Sequence, residues 1–227
     1  MDYFQQFLFG IYPYVAGTIF LLGSLVRFER EQYTWKSDSS QLLKRGNLRV
    51  GSILFHVGIL GLFFGHLVGL LTPVAVWDAL GITHSFKQGF AMAMGGIFGI
   101  MCLIGVLILM HRRLTEPRIA AQTKFADKLV MVWILATLLL GLSTIPVSAG
   151  HMDGHMMVLL MTWAQHVVTF QGGAALIVQE APIIFKLHLF MGMSLFVIFP
   201  FTRLVHIWSG LASVTYLSRA WQLVRTR

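Results

Sequence analysis

The sequence predicts an all-α membrane protein of five transmembrane helices, with its amino terminus outside and its carboxyl terminus cytoplasmic. Three observations predict it. Of 227 residues, 56% are hydrophobic and 11% charged, with mean hydropathy +0.75, whereas a soluble domain carries roughly 25% charged residues. Five apolar stretches reach the about 20 residues that a helix needs to cross a bilayer: about 4–26, 50–72, 88–111, 129–150 and 182–208. The net charge of +8 is also one-sided: all Lys and Arg except Lys87 and Lys186 fall in or beside alternate connections and the carboxyl-terminal tail, 209–227. By the positive-inside rule those segments are cytoplasmic. The basic excess is therefore a topology signal and not a nucleic-acid footprint.

The first stretch has Asp2 before it and Arg27, Arg30 and Lys36 after it, the wrong polarity for a cleaved signal peptide, so it is read as a retained helix. A cytoplasmic connection, 27–49, follows with QYTWKSDSSQLLKRGN. The third stretch contains Cys102, the single cysteine. One cysteine allows no internal disulfide, no four-cysteine cluster and no CxxCH attachment of haem. The outer connection, 151–181, contains HMDGHMMVLLMTWAQHVVTFQGG, whose middle is expected to form a short interfacial helix with Trp163 at headgroup level. No soluble domain, repeat or low-complexity segment interrupts 1–227, which reads as one integral membrane domain. Any chemistry must take place in or beside the membrane.

Nine histidines mark where. His84, His111, His151, His155 and His166 lie in connections or at helix ends, within reach of water or headgroups. His56 and His66 lie inside the second stretch, in FHVGILGLFFGH, and His188 and His206 inside the fifth. An imidazole without a partner is costly there. The two stretches run in opposite directions, so His66 and His188 share an outer depth and His56 and His206 an inner one. Paired neutral imidazoles are axial ligands of six-coordinate haem iron, which predicts a di-haem helix bundle; the plainer alternative is imidazoles satisfied by neighbouring helices. Eighteen residues separate His188 from His206, about five turns, placing both on one face of a continuous helix. His56 and His66 are ~80° apart and only ~15 Å apart in rise, against ~27 Å on the fifth stretch; Pro200 offers a kink between the latter pair. Gly61, Gly65 and Gly69 form a face that admits either a flat group or another helix.

Beyond spacing, the chain resembles a known family. The segments IYPYVAGTIFLLGS, QYTWKSDSSQLL, LFHVGILGLFFGHLVGLLTP, STIPVSAGHMDGHMM, WAQHVVTFQGG and LHLFMGMSLFVIFPFTRLVHIWS resemble the gamma subunit of respiratory nitrate reductases, a membrane cytochrome b. The resemblance covers essentially the whole chain. It implies two b haems, the outer on His66 and His188 and the inner on His56 and His206. It further implies oxidation of a membrane quinol, menaquinol or ubiquinol, at the outer haem. Electrons would pass to a cytoplasmic iron–sulfur subunit and a molybdenum catalytic subunit that reduces nitrate. The implied setting is the bacterial or archaeal cytoplasmic (inner) membrane, with the chain as a multi-pass subunit among lipid.

Lys87, in HSFKQGF, matches the lysine such subunits place near the quinol. On residues alone it reads equally as a snorkelling interfacial lysine, and Lys186 as a snorkel or a haem-propionate partner. Aromatic and basic residues in the first connection and the tail (Tyr33, Trp35, Tyr216, Trp221) suit either a docking surface for the partner subunits or a cationic face on anionic lipid. Two other functions stay open here: a quinol-oxidising anchor of a different iron–sulfur or molybdenum enzyme, and a haem-free histidine-lined transporter.

Overall fold

Backbone polar groups in an apolar slab must be satisfied by the chain itself, and the described residues do this with helices throughout. The computed structural model describes residues 3–31, 34–35 and 47–209. The principal helices are α1 (Tyr3–Arg30), α2 (Leu48–Leu71), α3 (His84–Thr115), α4 (Phe125–Ala149), α5 (His155–Val168) and α6 (Ile183–Ile198). Helices α1 to α4, and the stretch Ile183–Phe201 that α6 begins, are long and apolar enough to cross a membrane. The tail beyond Ser209 and most of the first connection, including Tyr33, Lys36, Lys44, Arg45, Tyr216 and Trp221, lie outside the described residues.

The spanning helices pack in the order α2, α3, α4, α6, α1, while α5 lies against α2 and α3. The closest approach is between α2 and α3, where glycines remove side chains from both surfaces. A Cβ on Gly58 would lie 2.5 Å from the Cys102 nitrogen, and one on Gly105 would strike the Phe55 backbone. Cys102 is fully buried there with Val106 and Leu138. Helix α2, which carries His56 and His66, and helix α6, which carries His188, are not packed extensively on each other. The antiparallel contact expected between them is replaced by side chains reaching across.

Two prolines shape the bundle. Pro13 has no N–H to give to the carbonyl of Phe9, so Phe7–Ile11 widens into a π turn. The indole N–H of Trp163 donates to that Phe9 oxygen at 3.0 Å. Trp163 is thus a core residue, 3% exposed, and not the headgroup-facing residue expected. Pro200 ends the regular part of the fifth span. Helix α6 stops at Ile198, followed by a 3-10 turn, Phe199–Phe201, an extended Thr202 and a second 3-10 turn, Arg203–Val205. The expectation of one continuous helix over 182–208, with five turns between His188 and His206, therefore fails. Arg27 of α1 donates through Nη1 to the carbonyls of Pro200 at 2.6 Å and Thr202 at 2.9 Å, satisfying oxygens that the broken ladder leaves free. Gly23 lets the proline ring approach, since a Cβ there would lie 2.8 Å from Pro200 Cγ.

Candidate functional site

Helix geometry alone orients two of the four candidate ligand imidazoles. His56 and His66 each donate from Nδ1 to the carbonyl one turn earlier in α2, Ser52 and Leu62, both at 2.7 Å. His188 crosses to the neighbouring helix, donating from Nδ1 to Thr137 of α4 at 3.1 Å. His206 donates to the carbonyl of Arg203 at 2.6 Å. A carbonyl only accepts, so in all four rings Nδ1 carries the proton and Nε2 keeps its lone pair. Among the described residues, no group hydrogen-bonds to any of these four Nε2 atoms. A ring tied by one nitrogen and presenting the other is the usual setting of a metal-ligating histidine.

The rings of His66 and His188 meet across α2 and α6, with centroids 6.0 Å apart. Two imidazoles bonded at about 2 Å to one iron would have ring centres separated by roughly 6 Å, so this pair fits a haem held between them. Gly141 of α4 seats His188: a Cβ there would lie 2.8 Å from its Cε1. Beside the pair, among the described residues, nothing outside the glycine's own helix turn lies within 4 Å of where a Cβ would stand on Gly65, Gly69 or Gly192, and α2 is the least buried of the five spans. Of the expected glycine face, only Gly61 meets a helix neighbour, the ring of Phe98. His56 and His206 share the Nδ1 arrangement but make no ring contact with each other among the described residues. No cluster of three or more metal-ligating side chains occurs among those residues. The donor sets therefore come in pairs at most.

Lys87 lies in the first turn of α3, because the Thr83 hydroxyl accepts the Phe86 N–H at 3.3 Å and starts the helix at His84. It is not a snorkelling residue: it is 6% exposed. Its ammonium donates to the Gly69 carbonyl at 2.9 Å and to Met161 Sδ at 2.7 Å, and lies 4.4 Å from the Trp77 ring centre. Gln165 donates to the carbonyls of Leu70 and Thr72 at 3.2 and 3.1 Å. Together Lys87 and Gln165 satisfy the terminal carbonyls of α2, and a cation suits that end of the helix dipole. Gly69 is three residues from His66, so Lys87 is linked to the His66 end of the bundle. The neighbouring Gln88 fixes the same turn, donating to Ser148 and His151 carbonyls at 2.9 Å and accepting from Gly154 at 3.0 Å.

Sequence reasoning missed Trp77. Its buried indole nitrogen has no hydrogen-bond partner among the described residues, while its ring faces Lys87; the only sequence signal is a tryptophan in VAVWDAL, just beyond the second span. Lys186 donates to the Gln179 carbonyl at 2.6 Å, which gives it a local helix-entry role.

The nitrate reductase gamma subunit family model matches residues 5–227. The chain belongs to the nitrate reductase gamma subunit family. It is 49% identical to the respiratory nitrate reductase 1 gamma chain of Escherichia coli (strain K12), over the whole of both chains. It is 46% identical to the respiratory nitrate reductase 2 gamma chain of the same organism, over all of this chain and 99% of that one. It is also 34% identical to the nitrate reductase gamma chain of Bacillus subtilis (strain 168), over 98% of each. Gamma-subunit membership over the whole span sets the histidine-lined transporter aside.

Proposed function

We propose that this chain is the membrane electron-transfer subunit of a respiratory nitrate reductase, taking electrons from a membrane quinol and passing them to iron–sulfur and molybdenum partners in the cytoplasm. His66 and His188 hold an outer haem b, and His56 and His206 an inner one. When bound, the haems supply one-electron acceptance and transfer. The chain's residues supply the rest. The four Nδ1–H bonds fix the imidazole tautomers and present Nε2, Gly141 seats His188, and the helices exclude water. Lys87 works at the quinol: its weakest acceptor is the Met161 thioether, and a quinol oxygen in that place accepts a stronger hydrogen bond while negative charge develops on it. Quinol gives up two electrons and two protons. With the amino terminus outside, those protons leave on the outer side while the electrons move inward.

The single observation that supports this reading most is the His66–His188 pair, 6.0 Å between ring centres with both Nδ1 atoms engaged on carbonyls. The test is co-purification of the complex from the cytoplasmic membrane, followed by a nitrate-reduction assay driven by a quinol. Quinol-dependent reduction that disappears without this chain is expected. Quinol-dependent reduction that persists in its absence contradicts the proposal.

A further inference from the structure

Three of the four candidate ligand imidazoles are oriented by regular helices: His56 and His66 by their own, His188 by α4. The fourth is not. The carbonyl that holds His206 belongs to Arg203, in a 3-10 turn after an extended Thr202 whose φ and ψ are −123° and −179°. No continuous helical ladder locates that carbonyl. Its backbone partner is the His206 N–H of the same short turn, and side chains hold that turn against the bundle. Asp127, at the start of α4 and 5% exposed, accepts from Arg203 Nε at 2.7 Å through Oδ1. Its Oδ2 accepts from Arg113 Nη1 of α3 at 3.1 Å and from the Lys124 N–H at 3.3 Å. The carboxylate is thereby fixed from both sides, and buried charge-assisted bonds of this kind are directional. Arg27 holds the preceding residues by its bonds to Pro200 and Thr202.

We infer that Asp127 is a positioning residue for His206, acting through Arg203 to orient that imidazole. The inference rests on the proposed role of His206 as an inner haem ligand. The chain of contacts is continuous: Asp127 carboxylate, Arg203 side chain, Arg203 carbonyl, His206 Nδ1–H, His206 Nε2. Loss of the carboxylate removes the bond at Arg203 Nε, loosens the turn on that side, and changes the direction and strength of the bond to His206 Nδ1. That bond sets the basicity and angle of the ligating nitrogen. His66 is held by the Leu62 carbonyl of its own helix, outside the contacts that Asp127 makes among the described residues. His188 is held by Thr137, ten residues further along α4, within its regular part.

The test is made on the complete complex in membranes, by redox titration and low-temperature electron paramagnetic resonance of both haems in Asp127→Asn, Arg203→Gln and Asp127→Glu. Asp127→Asn and Arg203→Gln are expected to shift the midpoint potential and low-field g value of one centre, the one lost in His206→Ala, and to leave the other unchanged. Asp127→Glu is expected to return both readouts toward wild type. A residue that only staples helix ends would affect both centres together or only the amount of protein. Equal shifts in both centres, or wild-type signals throughout, overturn the inference. Should Asp127→Asn fail to accumulate, Arg203→Lys, which keeps the charge but gives up the Nε donor, decides by the same criterion. If His206→Ala retains both haems, the ligand assignment falls and the inference with it. If His206→Ala loses a haem while the other variants keep wild-type signals, the inference alone is overturned.

Discussion

Gly141 and His188 are in contact across α4 and α6: a Cβ on the glycine would lie 2.8 Å from Cε1 and 3.3 Å from Nε2 of the imidazole. The ring cannot easily retreat, because its Nδ1–H is bonded to Thr137 of the same helix. Gly141→Leu is therefore expected to abolish the His188 haem and leave the other, halving the b-type difference spectrum, with Gly141→Ala intermediate. Forcing a methyl into such a site costs about 1–3 kcal/mol. A full spectrum in Gly141→Leu would show that the ring is free to move.

The pairing itself is tested by four single substitutions. His66→Ala and His188→Ala should remove one spectral and redox component, and His56→Ala and His206→Ala the other. Redox titration of the four variants should give two classes. Two substitutions on one helix falling in the same class would contradict the pairing.

Much of this was legible because helical periodicity and charge asymmetry are local properties. Five spans, His56, His66 and His188 within them, and the contact of His66 with His188 follow from apolar length, loop charge and antiparallel direction; His206 lies past the end of the fifth span at Phe201. What was not legible depends on distant partners. Pro200 announces a kink, but the two 3-10 turns around Thr202 exist because Arg27, in another helix, satisfies the Pro200 and Thr202 carbonyls. Trp163 reads as an interfacial tryptophan until Pro13 is seen to free the Phe9 carbonyl that binds it. The sequence points to Gly61, Gly65 and Gly69 as a face for a flat group or another helix, and Gly61 does meet the Phe98 ring while Gly65 and Gly69 stay open; the tight α2–α3 backbone contacts at Gly58 and Gly105 are not legible in it.

Lys87 gives a prediction with two separable parts. Lys87→Ala should slow quinol-driven reduction of both haems while retaining both, and an artificial donor to the cytoplasmic subunits should still support full nitrate reduction. The substitution also leaves the Gly69 carbonyl without its donor, at a cost of about 1–3 kcal/mol for an unsatisfied buried group. A wild-type rate of haem reduction would leave Lys87 only as a cap on α2. Loss of a haem would make its role structural.

A docking surface is expected where the first connection meets the tail. Trp35 packs on Phe28 with ring centroids 5.5 Å apart and donates to the Ser209 hydroxyl at 2.6 Å, joining the start of one segment to the root of the other. Deletion of 216–227, which lies outside the described residues, should release the iron–sulfur and molybdenum subunits from the membrane and leave both haems in place. Membrane attachment at the wild-type level after deletion would contradict this role for the tail.

The central claim is that four imidazoles, those of His56, His66, His188 and His206, bind two haems in one chain. Its most direct test is haem content per chain in the purified protein, measured as the pyridine complex before and after acid–acetone extraction. Two haems b per chain, all extractable because no CxxCH exists to retain them, is the expected result. One haem, none, or haem that stays with the polypeptide would contradict the account.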